Sequence, residues 1–252
     1  MTFVSDTYYM FVRWMKKLVR NPILLFFSLF QPIIFLLLFT QLFSKFGLLL
    51  GTNYTVFATA GIILQNSFSS AFQSGTAVVD DIKSGFLTKV LATPASRTSI
   101  LLGRLLSDAF RVFAQTLIIL LLAYGLGVFP VTGIVGYILI LITVAFFGLA
   151  WSGISLALGL RTKSAETVFG IAGTLTFPLL FMSTALVQQG LMPLWMQNVS
   201  SYNPISFAVN AIRDLIMTGY VWGSFSEAYA VISLIAVLTL GATFYEFRKI
   251  VS

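Results

Sequence analysis

Long apolar stretches without a charged residue recur along the chain and are separated by short polar segments. A helix of roughly 20 apolar residues is needed to cross about 30 Å of hydrocarbon. The window 112–160 is long enough for two such helices and is broken near Pro130–Gly133. These stretches predict membrane-spanning helices, and the charge-free windows are 21–44, 46–79, 112–160, 167–212 and 228–245.

The positive charges decide how many spans the apolar windows contain. The window 167–212 holds one span, because its second half is interrupted by Gln188-Gln189-Gly190, Pro193 and Asn203-Pro204. With six spans and a cytoplasmic N-terminus, all of the 15 Lys and Arg residues except Lys45 and Arg213 are cytoplasmic. The sequence therefore predicts an all-α membrane protein with both termini in the cytoplasm. Its spans are 22–44, 54–79, 105–129, 133–160, 166–187 and 227–246.

Composition supports this class and excludes several kinds of chemistry. Hydrophobic residues make up 58% of the chain and charged residues 9%, against about 25% charged residues in a soluble domain. Cys and His are absent, which excludes disulfides and thiolate or imidazole metal sites. The net charge of +7 is accounted for by topology and anionic lipid, so no nucleic-acid partner is expected.

Residues 3–20 precede the first span and have the pattern of an amphipathic helix. Tyr8, Phe11, Val12, Met15 and Val19 fill one side. The opposite side carries four basic residues at spacing i, i+3, i+4 and i+7, which is typical of a helix lying on a membrane surface. This helix could be a topology anchor or could have a mechanical role. The basic residues are Arg13, Lys16, Lys17 and Arg20.

The loop between the second and third spans also has an amphipathic pattern. Asp80 and Asp81 are placed as the acidic first turn of a helix, and Thr93-Pro94 ends it. Lys83 and Lys89 lie off its apolar stripe. Such a helix suits either a groove on another protein or the membrane surface. The stripe consists of Ile82, Phe86, Leu87, Val90 and Leu91.

Two motifs in this order resemble those of the ABC-2 type transporter permeases. The first runs from Asp80 through Leu91-Ala92-Thr93-Pro94-Ala95-Ser96-Arg97 to Ile100-Leu101-Leu102-Gly103-Arg104. The second is Asn203-Pro204-Ile205-Ser206-Phe207 with its continuation to Arg213. The chain departs from the family at Asp80-Asp81-Ile82-Lys83, where many relatives have a stretch rich in Glu and Arg. The resemblance extends over nearly the whole chain. Within the family, it is to the daunorubicin-resistance-like branch.

The resemblance implies a role for each segment. Residues 80–96 would form a coupling loop whose helix docks on a separate ATP-binding subunit, and 3–20 would be the connecting helix beside it. Residues 191–219 would be two short re-entrant helices, with Asn203 and Pro204 at a helix start and Arg213 near the membrane interface. The implied subunit interface comprises Asp80, Asp81, Ile82, Lys83, Gly85, Phe86, Leu87, Val90, Leu91, Thr93, Pro94 and Arg97.

These expectations describe the permease subunit of an ATP-driven exporter for hydrophobic or amphiphilic cargo in a prokaryotic plasma membrane. The chain contains no G-x-x-x-x-G-K-[ST] motif, so ATP and magnesium would be bound by the partner and no cofactor by this chain. One chain is too small to enclose a path for a bulky solute, which favours a homodimer with two ATP-binding subunits.

An ion-coupled carrier that works without an ATPase is the alternative. Such carriers usually bury charged residues at mid-membrane, and no predicted span has one near its centre. Sodium coupling through neutral residues stays open. Asp108 and Arg111, spaced i, i+3 at the start of the third span, are predicted to pair. An intramembrane enzyme is not expected, because no carboxylate pair, His or Cys lies in a span.

Overall fold

The computed structural model describes residues 3–43 and 54–251, and within these ranges every regular element is a helix. A short 3₁₀ turn at Gln189–Leu191 joins two of them. The helices are α1 (Phe3–Val19), α2 (Pro22–Leu42), α3 (Tyr54–Lys83), α4 (Phe86–Leu91), α5 (Arg97–Gly125), α6 (Gly133–Thr162), α7 (Ala165–Phe181), α8 (Leu194–Tyr202), α9 (Pro204–Met217) and α10 (Trp222–Val251).

The six predicted spans fall on α2, α3, α5, α6, α7 and α10. Among the described residues, α5, α6 and the part of α10 at Trp222–Lys249 are long and apolar enough to cross a membrane. α7 and the Phe26–Leu42 part of α2 are apolar but shorter. The six-span topology therefore stays a prediction. The end of the first predicted span, Lys45 and the loop before Tyr54 lie outside the described residues.

Several helix ends differ from their predicted positions because of local capping. α5 begins at Arg97 instead of residue 105, since the Ser96 side chain accepts a hydrogen bond from the Ser99 amide (3.1 Å). α5 ends at Gly125, two residues before Gly127, whose φ of 86° is unsuited to a continuing helix. α5 thus begins before the predicted span 105–129 and ends within it, and the membrane bounds of that span stay a prediction.

α3 lies at the centre of the bundle and packs against α2, α5, α6, α7 and α9. It comes close to α6 at Gly75, whose amide donates a hydrogen bond to the Ser155 hydroxyl (2.8 Å). The same hydroxyl donates to the Phe72 carbonyl (2.8 Å). Nearer the middle of α3, Phe68 packs on Trp151 with ring centroids 5.0 Å apart. A small residue and a shared hydroxyl thus bring the two helix backbones together, as is common between membrane helices.

α6 also binds α10 through hydroxyl groups. Thr239 donates to the Ala150 carbonyl (2.7 Å), and Thr243 donates to the Gly153 carbonyl (2.7 Å). The bundle has two distinct ends. One carries α1, α4 and the start of α5, and is called the α4 end below. The other carries α8 and α9 and is called the α9 end.

We predict that Gly75→Ala lowers the thermal unfolding temperature of the purified chain. A methyl group at Gly75 overlaps the backbone oxygen of Ser155, and such overpacking costs about 1–3 kcal/mol. Gly173→Ala in α7 is the matched control, because a methyl group there meets no atom within 4 Å. Equal unfolding temperatures for the two variants would contradict close α3–α6 packing at Gly75.

Candidate functional site

The Asp81 carboxylate binds two basic residues of α1 at the α4 end. Asp81 lies in the last turn of α3, and its side chain is 6% exposed. Its Oδ2 accepts a hydrogen bond from Arg13 Nη1 (3.2 Å), and its Oδ1 accepts one from Lys17 Nζ (3.0 Å). Arg13 and Lys17 are four residues apart, so both reach the carboxylate from one face of α1. This pairing fixes α1 to the end of α3.

Arg13 also contacts α4. Its guanidinium carbon lies 3.2 Å from the centroid of the Phe86 ring, in the geometry of a cation–π interaction. Phe86 is the first residue of α4. Three helices therefore meet around one arginine. We call Arg13, Lys17, Asp81 and Phe86 the clamp.

The rest of α1 is docked on the start of α5. Near its N-terminus, the buried Asp6 carboxylate accepts a hydrogen bond from the Ser96 amide (3.4 Å). One turn further along α1, Met10 lies so close to Gly103 of α5 that a side chain at position 103 would overlap it. The two helices are therefore in close contact. Trp14 lies under the Arg104 guanidinium, whose carbon is 3.8 Å from the centroid of the indole ring. α1 is thus an integral part of the bundle along its length.

The segment that was predicted as one amphipathic helix has a turn in its middle. Asp80 and Asp81 end α3 and do not begin a helix, which corrects their predicted position in a first turn. The break lies at Gly85, whose φ of 69° is readily adopted by glycine and costly for other residues. α4 then runs only from Phe86 to Leu91.

Part of the predicted subunit interface is buried within the chain. Leu87 and Val90 pack into an apolar cluster that includes Leu101 and Phe247, and Asp81 is enclosed by the clamp. These three side chains are buried in this structure, and their contact with a partner stays a prediction. Ile82, Gly85, Phe86 and Leu91 are half-buried.

The remaining predicted interface residues are exposed, namely Asp80, Lys83, Thr93, Pro94 and Arg97. Thr88 and Lys89 of α4, which are outside the predicted interface, are exposed as well. We call Lys83, Thr88, Lys89, Pro94 and Arg97 the basic face.

The two sides of α1 differ in part from the predicted pattern. Lys16, Lys17 and Arg20 are exposed, and Arg13 is half-buried. Arg13 and Lys17 both bind Asp81. Of the predicted apolar side, Phe11, Val12 and Met15 are half-buried, while Tyr8 and Val19 are exposed. Contact of this apolar side with lipid stays a prediction.

A buried charge network lies in α5, next to α3. The predicted pairing of Asp108 with Arg111 is confirmed (3.3 Å), and Asp108 also binds Arg104 (3.1 Å). The Ser74 hydroxyl donates to the same carboxylate, and Arg111 Nη2 donates to the Ser70 carbonyl (2.6 Å). Sequence reasoning missed Arg104 as a partner, although its i, i+4 spacing from Asp108 is a recognisable signal. We call Arg104, Asp108 and Arg111 the α5 triad.

Because α5 begins at Arg97, Arg111 lies midway along it. Within the predicted span 105–129 it lies near the start, so the expectation of charge-free span centres stays a prediction. Both arginines of the triad pair with Asp108, and pairing of this kind is the usual way in which a protein makes buried charge tolerable.

At the α9 end, Asn203 and Pro204 start a helix as predicted. The Asn203 side chain accepts a hydrogen bond from the Ile205 amide (2.9 Å) and donates one to the Leu179 carbonyl (2.7 Å). Asn203 therefore caps α9 and joins it to α7. That α8 and α9 are re-entrant helices stays a prediction.

Arg213 connects α9 to the segment after α7 and to α3. Its Nη2 donates to the Thr184 carbonyl (2.7 Å), and its guanidinium lies 3.8 Å from the centroid of the Phe57 ring. Burial lowers the pKa of Arg213 to about 10, with the neighbouring Asp214 carboxylate opposing the shift. The side chain stays protonated at neutral pH and joins three elements.

Comparison with known proteins shows which family this chain resembles. The family described as ABC-2 type transporter matches residues 5–217. A daunorubicin resistance ABC transporter permease protein, DrrB1 of Streptomyces coeruleorubidus, is 31% identical over 85% of this chain and 76% of its own. The ycf38 protein of Pyropia yezoensis, named for an inferred role as a transport permease, is 32% identical over 81% of this chain and 71% of its own. A probable doxorubicin resistance ABC transporter permease, DrrC of Mycobacterium tuberculosis, is 23% identical over 87% of this chain and 79% of its own.

We predict that Asp81→Asn releases α1 from the end of α3. Hydrogen exchange of the amides in α1 should become roughly ten-fold faster, since hydrogen bonds to charged groups contribute about 1.5–3 kcal/mol each. Asp80→Asn is the control, because Asp80 is exposed and belongs to no ion pair in the part of the chain that the structure describes. Unchanged exchange in Asp81→Asn, or equal acceleration in both variants, would contradict the clamp.

Proposed function

The chain belongs to the ABC-2 type transporter family, and we propose that it is the transmembrane permease subunit of an ATP-driven exporter. The proposed cargo is hydrophobic or amphiphilic, because the relatives from Streptomyces coeruleorubidus and Mycobacterium tuberculosis are named for resistance to daunorubicin and doxorubicin. We place the protein in a prokaryotic plasma membrane with both termini in the cytoplasm.

The clamp is the observation that carries this proposal. The basic face is exposed and lies on the short segment between α3 and α5, where a separate subunit can reach it. Directly behind that surface, Arg13 binds both Asp81 and Phe86. A displacement of α4 is therefore passed to α1 and to α3 together.

Each of these two helices leads into the bundle. α3 has 30 residues, or about 45 Å of continuous helix, and reaches from the clamp to the contact of Phe57 with Arg213. α1 is packed on α5 through Met10 and Gly103. Closure of the ATP-binding subunits would press on the basic face and change the packing of the bundle at both ends.

The proposed assembly is a homodimer of this chain with two copies of the ATP-binding subunit. The chain has no phosphate-binding motif, so ATP and magnesium belong to the partner. A closed two-fold dimer is the commonest symmetric assembly, and it would place a pathway between two copies. Three of the basic-face residues are cationic, which calls for an acidic surface on the ATP-binding subunit.

We predict that Lys89→Glu weakens the stimulation of the partner's ATPase activity by roughly ten-fold, since charge reversal opposes an acidic counterpart. The measurement uses the ATP-binding subunit with and without this chain in lipid vesicles. Arg161→Glu is the matched control, because Arg161 is also exposed but lies in the last turn of α6, outside the basic face.

Two results would overturn the proposal. Full stimulation by Lys89→Glu would show that the basic face is not the docking surface. If the unaltered chain neither binds nor stimulates the ATP-binding subunit, yet moves solute across vesicles without ATP, the ion-coupled carrier would replace the exporter.

A further inference from the structure

A cavity of about 580 Å³ opens beside the α5 triad and has two kinds of wall. One wall is polar and consists of Arg104, Asp108 and Arg111 of α5 with Gln73 of α3. The other is apolar and includes Met15, Leu18 and Phe27 from α1 and α2, and Phe169 from α7. Its size lies within the range of about 300–1,000 Å³ that is usual for ligand sites.

The polar wall carries one unbalanced positive charge. The α5 triad combines two guanidinium groups with one carboxylate, and none of its residues is more than 7% exposed. The other charged residues that line the cavity are one cation, Lys17, which is bound to Asp81, and one anion, the exposed Asp80, so the lining as a whole keeps a net charge of one positive. A buried charge without a counterion is costly, so the site favours an anion.

One hydrogen-bond donor on the same wall is unused. Arg111 is 7% exposed, yet its Nε has no hydrogen-bond partner within the described part of the chain. Gln73 Oε1 is also unpartnered there, but as an acceptor it offers nothing to an anion. Asp108 is paired with both guanidinium groups and accepts from Ser74, so the carboxylate of this wall is already occupied. Asp80, the other carboxylate that lines the cavity, is exposed.

The apolar wall shows which kind of anion fits. Phe27 and Phe169 are 62% and 58% exposed, so the cavity is continuous with an apolar surface between α2 and α7. A free inorganic anion would leave this wall uncovered. An amphiphile can place its head group at the triad and its hydrocarbon chain along the two phenylalanines.

We infer that this cavity binds the anionic head group of an amphiphile, a phosphate or a carboxylate, through Arg111 and Arg104. The inference rests on the proposed function, for which it names the class of molecule that enters from the membrane. Such a head group can belong to the cargo or to a membrane lipid that stays in place, and the two sources share the same chemistry at the triad.

The test measures binding of hexadecyl phosphate to the purified chain in phosphatidylcholine nanodiscs. We expect this probe to bind more tightly than hexadecyltrimethylammonium, which has the same hydrocarbon chain and the opposite charge. Arg111→Gln should weaken binding of hexadecyl phosphate by about ten-fold or more through loss of a charged donor. Arg248→Gln removes an exposed positive charge at the end of α10 and should leave binding unchanged.

A second variant covers the case in which Arg111→Gln fails to fold. Ala77 of α3 lines the cavity, and Ala77→Phe fills it without changing any charge. We expect Ala77→Phe to abolish binding, with folding checked by gel filtration and thermal unfolding. Equal binding of the two probes, equal losses in Arg111→Gln and Arg248→Gln, or full binding in folded Ala77→Phe would overturn the inference.

Vesicles that also contain the ATP-binding subunit distinguish a site for cargo from a site for a resident lipid. ATP-dependent transfer of hexadecyl phosphate between leaflets would assign the site to cargo, and tight binding without transfer would assign it to a resident lipid. Either result supports an anionic head-group site. Loss of charge-selective binding with intact ATPase stimulation overturns this inference alone. Selective binding without any stimulation overturns the proposed function alone.

Discussion

The buried Asp81 carboxylate needs positive charge beside it, and the neighbouring helix α1 supplies that charge. Asp81 lies in the last turn of α3, where the carbonyl groups of a helix end disfavour a negative charge, and it is almost fully buried. Arg13 and Lys17 supply the compensating charge from α1. Since Arg13 also stacks on Phe86, the same compensation positions α4. The exposed basic face therefore stands on a joint between three helices and not on a free loop.

The central position of α3 extends the effect of this joint through the bundle. Its contact at Gly75 brings it against α6, and Phe57 at its far end lies under Arg213 of α9. The α5 triad is also held by α3, through Ser70 and Ser74. In the proposed exporter, a push at the α4 end thus reaches the head-group cavity and the α9 end along one rigid element.

The apolar windows and local spacings predicted what depends on near neighbours in the sequence. They located α2, α3, α5, α6, α7 and α10, the amphipathic α1, the Asn203 cap and the Asp108–Arg111 pair, because each follows from residues within a few turns. The orientation of α1 was not predictable in this way, since its basic residues Arg13 and Lys17 pair with a carboxylate more than sixty positions away. Burial of Leu87 depends on Phe247 near the other end of the chain, and the break at Gly85 depends on a backbone angle that many glycines do not adopt.

The most direct test of the clamp's role is a distance measurement between α1 and α4 during the ATP cycle. The chain contains no Cys, so spin labels can be placed at Lys16 and at Ala92, the C-terminal cap of α4, in one protomer of the complex with the ATP-binding subunit. Both positions are exposed and lie outside the basic face. A second pair at Lys16 and Glu227 spans the bundle. We predict that binding of a non-hydrolysable ATP analogue leaves the 16–92 distance distribution unchanged and shifts the 16–227 distribution. A shifted 16–92 distribution would mean that α1 and α4 move independently, and would contradict the role of the clamp.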